Sequence, residues 1–283
     1  MRILILGAGG MAGHTAAIYL KEKGHSVVGF SRKPVDYCEN IVGDALDRDA
    51  VSEAILKEDF DAVINCIGVL NTDVDKNLAD GIFLNSYLPN FIVHCLKDKR
   101  TKLIHLSTDC VFSGKDGSYN EDSFKDSDSF YGLTKSLGEI NDDKNLTIRT
   151  SIIGPDRNRG GSGLLNWFLN QASPVSGFVS AIWTGVSTIT LAKAFERAIE
   201  ENLCGIYHLV NNETISKYKL LKLFNDNIKK EKIEILPSDL IHVDKSLKNN
   251  RNDFDFIVPS YEQMIKDTSE WILTHKGLYL HYF

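Results

Sequence analysis

The chain of 283 residues has few of the features that mark secreted, disulfide-stapled or zinc-binding proteins. Its five cysteines are odd in number, widely spaced and without a Cys-x-x-Cys pair, which argues against a disulfide framework or a zinc knuckle. We expect free thiols, with Cys66 and Cys95 acting as small buried hydrophobic residues. The eight histidines form no ligand-spaced pair, so no metal site is predicted.

Long apolar runs and an excess of positive charge are also missing. The longest apolar run near the start, Ile3–Leu6, is far shorter than the roughly 20 residues that span a bilayer. The 32 lysines and arginines against 38 aspartates and glutamates give a net charge of −6, and no long basic run occurs. A nucleic-acid partner and a membrane partner are therefore not expected, and a cytoplasmic location is predicted.

The first half of the chain alternates short β-rich runs with helical patterns. This alternation predicts a doubly wound, Rossmann-type α/β fold, in which helices cover both faces of a parallel sheet. The strand candidates are Arg2–Leu6, Ser26–Phe30, Ala62–Ile67, Lys102–Leu106 and Leu146–Arg149. The helix candidates are Ala12–Lys23, Ala50–Glu58, Ile82–Lys97 and Phe130–Ile140.

The pattern loosens after Arg149 into a glycine-rich stretch, Arg159–Gly163, and then into segments with mixed helix and strand signals. We divide the chain into a dinucleotide-binding unit at residues 1–155 and a smaller α/β unit at residues 156–283. The second unit is either separate from the first or interleaved with it.

The first strand runs directly into a glycine-rich loop and then a helix, which is the context in which such a loop binds a pyrophosphate. Glycine permits the tight turn and the close approach of the backbone to the ligand. The loop fits two registers, Gly7-x-Gly9-x-x-Ala12 and Gly7-x-x-Gly10-x-x-Gly13, and the sequence does not separate them. We expect Gly7, Gly10, Met11 and Gly13 to bind the cofactor.

The end of the second strand lacks the Asp or Glu that holds the adenosine ribose of NAD. Arg32 and Lys33 stand there instead, and their charges suit a 2′-phosphate. The sequence therefore favours NADP, with NADPH preferred and NADH as the alternative. The other interpretation is that both are ordinary solvated loop charges.

Further cofactor contacts are predicted at the ends of the next two strands. Asp44 and Ala45 follow a β-like piece, and the Asp44 carboxylate either accepts from an adenine amino group or caps the helix that begins near Asp47. Cys66 and Gly68 end the fourth strand at the switch point of the sheet, where a glycine lets the dinucleotide pass closely.

Three residues have the chemistry of a carbonyl reductase. Tyr131 and Lys135 are spaced i, i+4, which places a phenol and an ammonium on one helix face, and Thr108 leaves the preceding strand at the sheet edge. We expect Tyr131 to protonate a substrate oxygen, Thr108 to donate to it, and Lys135 to keep the phenol pKa low while binding the nicotinamide ribose. Asn85 is predicted to orient a water or a backbone group behind Lys135, and Asn85 and Tyr131 are also predicted to contact the cofactor.

In these motifs the chain resembles the extended short-chain dehydrogenases/reductases, specifically the dTDP-4-dehydrorhamnose reductase branch. The resemblance covers roughly the first 155 residues. The segments that carry it are Gly7–Gly13, Asn65–Gly68, Asn85, Ser107–Gly114, Tyr119-x-Glu121 and Tyr131–Glu139. It implies NADPH-dependent reduction of a nucleotide-linked 4-keto-6-deoxysugar for surface polysaccharide precursors, with Thr108, Tyr131 and Lys135 as the catalytic residues. It also implies that the second unit binds the nucleotide sugar; a homodimer stays open.

The chain departs from that branch in regions that shape the sugar pocket, chiefly Ile182–Thr188 and Asn249–Pro259. A UDP-2-acetamido-2,6-dideoxy-4-hexulose is therefore the alternative substrate. The resemblance leaves two further alternatives, a related epimerase or dehydratase and a non-catalytic NADP-binding regulatory subunit. Candidates for the sugar pocket are Trp167, Trp183 and Arg251, although a tryptophan in the apolar run around residue 167 is more typical of a core.

Overall fold

The computed structural model describes residues 1–283 and contains fourteen strands, seven of which form a parallel sheet at its centre. The strands are β1 (Arg2–Leu6), β2 (Ser26–Ser31), β3 (Glu39–Val42), β4 (Ala62–Asn65), β5 (Lys102–Ser107), β6 (Leu146–Arg149), β7 (Ile152–Ile153), β8 (Val175–Phe178), β9 (Ala181–Trp183), β10 (Val186–Ser187), β11 (Gly205–His208), β12 (Ile215–Ser216), β13 (Ile235–Ser238) and β14 (Val243–Asp244). The central sheet has the order β3-β2-β1-β4-β5-β6-β11, and the strand order reverses between β1 and β4. Ligands of open α/β sheets bind at such a reversal.

Helices cover both faces of this sheet. They are α1 (Met11–Glu22), α2 (Arg48–Leu56), α3 (Asn71–Lys76), α4 (Leu78–Ile82), α5 (Leu88–Cys95), α6 (Phe130–Leu137), α7 (Leu164–Leu169), α8 (Thr188–Glu200), α9 (Lys217–Asn227) and α10 (Tyr261–Thr274). Strand β1 shows why the layers form: Ile3 and Ile5 join a cluster with α1 and α8, whereas Leu4 and Leu6 join one with α2 and α5. The doubly wound fold predicted from the sequence is confirmed.

Two predicted elements are wrong in detail. The helix predicted over Ile82–Lys97 is divided into α4, a π-helical turn at Phe83–Tyr87, and α5. Pro89 lies in the first turn of α5 and has no N–H, so a regular helix cannot continue through this point. The strand predicted to reach Ile67 ends at Asn65, because the Asn65 side chain accepts from the Ile67 N–H and turns the chain.

The second half of the chain returns to the central sheet. Strand β11 pairs with β6, and helix α8 packs against α1. The remaining strands form small separate sheets, β12-β9-β14, β13-β8 and β10-β7. The division at residue 155 stays a prediction, and these contacts favour its interleaved form. No helix in the fold has both the length and the apolar character needed to cross a bilayer.

A buried ion pair joins α6 to the sheet. Arg149, the last residue of β6, binds both oxygens of Glu139, which follows α6, at 2.8 and 2.9 Å, and the two side chains are 2% and 1% exposed. Lys125 and Ser107 bind the same carboxylate. Burial alone would raise the pKa of Glu139, but these partners hold it below the ordinary value for a glutamate.

We expect Arg149→Met to lower the free energy of unfolding at pH 7 by about 3–5 kcal/mol, because it leaves a buried carboxylate with too few partners. A lowered carboxyl pKa contributes stability above the unfolded-state pKa and loses it as pH falls through the folded-state pKa. The difference in the free energy of unfolding between the variant and the wild type, measured from urea unfolding curves, should therefore become smaller below about pH 4.

The matched control is Arg197→Met, which removes an exposed arginine paired with Glu200 and Glu201 on α8. This change should cost no more than about 1 kcal/mol. Equal losses in the free energy of unfolding for the two arginine variants would contradict the stabilising role of the buried pair.

Candidate cofactor and active site

Two glycines of the loop after β1 are required by close packing. Gly7 has a φ of +84°, and a Cβ there would lie 3.0 Å from the Ile67 side chain and 3.2 Å from the Cys66 backbone. At Gly13 a Cβ would lie 2.2 Å from the carbonyl oxygen of Gly7, whereas at Gly9 the nearest atom would be 3.8 Å away. The packing therefore selects the wider register, which pairs Gly7 with Gly13.

The loop presents free backbone donors to an anion. Helix α1 begins at Met11 with Gly10 as its N-cap, and no side chain caps this end. The N–H groups of Met11, Ala12 and Gly13 have no acceptor within the helix, because they belong to its first turn. Such an end favours negative charge through both its N–H groups and its dipole.

A cavity of about 1190 Å³ lies beside the ends of β1 and β4. Seven of the predicted cofactor residues line it: Gly7, Gly10, Arg32, Asp44, Ala45, Cys66 and Gly68. Met11, Gly13, Asn85, Tyr131 and Lys135 do not line it. A cavity of this size has room for a dinucleotide.

Three charged residues that line this cavity, Arg32, Lys33 and Asp44, form no ion pair with the protein. Arg32 and Lys33 are exposed, line the cavity and form no ion pair with the protein. Asp44 does not cap α2, because Asp47 accepts from the first N–H groups of that helix. The capping interpretation of Asp44 is therefore wrong; its carboxylate accepts only from the Leu46 N–H and is otherwise exposed.

Two residues of the second half, Arg157 and Asn158, line the same cavity and are not among the residues predicted from the sequence. The Arg157 guanidinium lies 5.0 Å from the ring centre of Tyr37 and donates to its hydroxyl at 3.3 Å. That hydroxyl donates in turn to the Ala8 carbonyl oxygen at 2.6 Å. The sequence shows only a basic residue beside a glycine-rich stretch. That pattern does not predict which loop the Arg157 side chain contacts.

The predicted catalytic residues meet at the end of β5. Thr108 is buried, and its hydroxyl donates to Asp109 at 3.0 Å and accepts from the Cys110 N–H at 3.1 Å. Tyr131 lies in the first turn of α6, and its phenol lies near Thr108, Asp109 and Cys110. The structure therefore brings Thr108 and Tyr131 together.

Lys135 lies one helical turn further along α6 and is buried. Its Nζ donates to the Leu106 carbonyl oxygen at 2.7 Å and lies 3.3 Å from Nε2 of His105. Burial lowers the pKa of Lys135 to about 8.

The expectation that Lys135 keeps the phenol pKa low is wrong for this structure. Burial raises the pKa of Tyr131 above its ordinary value, and the nearby Cys110 and Asp109 act in the same direction. The ammonium of Lys135 is bound to strand β5 instead. The phenol consequently stays protonated at neutral pH, as a proton donor must.

Asn85 lies in the π-helical turn and connects the loop after Gly68 to α6. Its Oδ1 accepts from the Val69 N–H, and its Nδ2 donates to the Val69 carbonyl and to the Thr134 hydroxyl. This is a backbone connection beside Lys135; the contact of Asn85 with a cofactor stays a prediction.

The candidates for the sugar pocket divide into three cases. Trp167 is 43% exposed, so the core interpretation of this residue is wrong. Trp183 is buried against Tyr261. The Arg251 guanidinium already has partners within the protein, because it pairs with Asp253 and donates to two backbone carbonyl groups.

Comparison with known proteins gives the chain's relatives. A Haloferax volcanii protein named probable low-salt glycan biosynthesis reductase Agl14 is 32% identical over 54% of this chain and 54% of its own length. The dTDP-4-dehydrorhamnose reductase of Mycolicibacterium smegmatis is 31% identical over 49% of this chain and 40% of its own length. The matched regions thus span about half the length of these relatives.

The fold has a counterpart among solved structures. A hypothetical dTDP-4-dehydrorhamnose reductase from Sulfolobus tokodaii superimposes with a TM-score of 0.77 at 26% identity, covering 93% of this chain and 98% of that chain. The family model of the RmlD substrate binding domain matches residues 1–252. The chain therefore belongs to the RmlD substrate binding domain family.

Proposed function

We propose that the chain is an NADPH-dependent reductase of a nucleotide-linked 4-keto-6-deoxysugar. One observation carries the proposal: a dinucleotide-sized cavity and a Thr108–Tyr131–Lys135 group lie at the same carboxyl edge of one parallel sheet. Similarity to a glycan biosynthesis reductase and to a dTDP-4-dehydrorhamnose reductase supports this activity. The product would serve as a precursor of a surface polysaccharide.

The residues at the cavity fit NADPH, whose reduced ring supplies a hydride when bound. The backbone donors at Met11–Gly13 would hold the pyrophosphate, and the side chains of Arg32 and Lys33, which form no ion pair in the protein, would bind the 2′-phosphate. Asp44 and Ala45 would contact the adenine, while Cys66 and Gly68 would flank the dinucleotide at the switch point.

The reaction also needs a proton at the substrate oxygen. Tyr131 holds one at neutral pH, since burial raises the pKa of its phenol, and Thr108 lies beside it to orient the carbonyl group. The phenolate that remains recovers a proton from Lys135, which burial makes a better donor. Thr108 would turn its hydroxyl from Asp109 toward the substrate in this step.

The proposed substrate is a nucleotide sugar, and the candidate nucleotides are dTDP and UDP. A UDP-2-acetamido-2,6-dideoxy-4-hexulose is the second substrate, since the segments Ile182–Thr188 and Asn249–Pro259 depart from the branch that the sequence resembles. A homodimer and a cytoplasmic location remain predictions.

We expect Tyr131→Phe to lower turnover by at least about 100-fold, because it removes the proton donor, while the affinity for NADPH stays within about twofold. The measurement is the loss of NADPH absorbance with a panel of dTDP-, UDP- and GDP-linked 4-keto-6-deoxysugars. Tyr19→Phe is the matched control, because that phenol binds Glu196 at the junction of α1 and α8. Tight NADPH binding by the wild type without turnover of any panel member would favour a non-catalytic subunit.

Arg32→Ala tests the cofactor assignment. Loss of a charge-assisted contact of about 1.5–3 kcal/mol should weaken NADPH by about 10-fold or more and leave NADH nearly unchanged. Binding is followed by nucleotide fluorescence, with Arg48→Ala as the control because Arg48 is exposed and does not line the cavity. Equal losses for the two nucleotides would refute the 2′-phosphate site.

A further inference from the structure

Three buried side chains form a line behind the active site. Asn65 and His105 are paired residues on the neighbouring strands β4 and β5, and both are 0% exposed. Nδ2 of Asn65 lies 3.2 Å from Nδ1 of His105, and Nε2 of His105 lies 3.3 Å from Nζ of Lys135. Of these three residues, only Lys135 takes part in the proposed reaction.

The orientation of Asn65 fixes the tautomer of His105. Oδ1 of Asn65 accepts from the Ile67 N–H at 3.1 Å, so its Nδ2 is the atom that faces the imidazole. An amide nitrogen only donates, and Nδ1 of His105 must therefore be the acceptor. Burial lowers the pKa of His105 well below its ordinary value, and the neutral ring carries its one proton on Nε2.

This N–H faces a lysine nitrogen with few other partners. The Leu106 carbonyl accepts from Nζ at 2.7 Å, and besides His105 the titratable groups around it are Cys66, which follows β4, and Glu139, which follows α6. The Cys66 thiol is neutral, because burial raises its pKa to about 12, and Glu139 is held by Arg149. An ammonium has only donors, whereas an amine can accept the imidazole N–H.

We propose that His105 is a positioning residue that sets the protonation of Lys135 by donating its Nε2–H to the amine form of that lysine. The catalytic consequence rests on the proposed function. Tyr131 gives its O–H proton to the substrate oxygen, an N–H proton of Lys135 passes to the phenolate, and the amine left behind accepts from His105. The amine then regains a proton from solvent. His105 thus stabilises the state that forms after the lysine has donated.

The first test reads the tautomer in the whole wild-type protein. Nitrogen-15 NMR of labelled histidine distinguishes a protonated ring nitrogen from a bare one, with His105→Gln used to assign the signal. We expect His105 to be neutral, with its proton on Nε2, across neutral pH. A proton on Nδ1, or a charged ring at neutral pH, would overturn the proposal, and this result does not depend on whether a variant folds.

The second test follows the titration of Lys135 by carbon-13 NMR of the lysine Cε, assigned with Lys135→Arg. The wild-type midpoint should lie at about 8. His105→Phe removes the donor that favours the amine and should raise the midpoint by about 0.5–1 pH unit. His105→Gln, whose amide can still donate to Nζ, should show less than half of that shift. An unchanged midpoint in His105→Phe would refute the role of His105.

Neither NMR measurement uses a substrate, so both can succeed or fail independently of the reductase assignment. Where turnover is found, the alkaline limb of the kcat/KM profile should move to higher pH in His105→Phe, since the ammonium then persists to higher pH. A uniform loss of activity with no displacement of that limb would instead indicate a purely structural role.

Discussion

The placement of the candidate active site depends on the buried contact between Glu139 and Arg149. Helix α6 carries Tyr131 and Lys135, and the carboxylate that follows it is held by the last residue of β6 and by Ser107 at the end of β5. Both charges are almost fully buried, so neither can separate from the other without a large cost in free energy. The phenol of Tyr131 is consequently kept beside Thr108, the residue that follows Ser107.

Burial at this site acts in opposite directions on the pKa values of Tyr131 and Lys135, the two groups that we propose exchange a proton. It raises the pKa of the Tyr131 phenol, since the charged form of a phenol is negative, and lowers the pKa of the Lys135 ammonium, since its charged form is positive. Both shifts favour a neutral phenol and a neutral amine over a phenolate and an ammonium. In the proposed reaction, the low dielectric of the site would therefore favour reprotonation of Tyr131, with no cation needed at the phenol oxygen.

Features that depend only on residues close to one another along the chain could be predicted from the sequence. The predicted limits of β1 and β6 agree with the structure, and the spacing of Tyr131 and Lys135 does place both on one short helix. The choice between the two glycine registers could not be predicted, because it depends on how closely Gly13 approaches the Gly7 carbonyl oxygen. The partners of Lys135 were missed for the same reason: they belong to a strand whose register is set by the whole sheet.

The second half of the chain contributes to the structure of the first half, because strand β11 contacts the buried pair of Arg149 and Glu139. His208 on β11 lies 3.1 Å from the Arg149 guanidinium, its backbone N–H binds Glu121, and burial lowers the pKa of its ring to about 4. The ring is therefore neutral and can accept from the guanidinium without placing two positive charges together. Removal of β11 would expose the edge of β6 and take a partner from the arginine that holds Glu139. The strand that completes the sheet thus also completes the network that positions helix α6, which carries Tyr131 and Lys135.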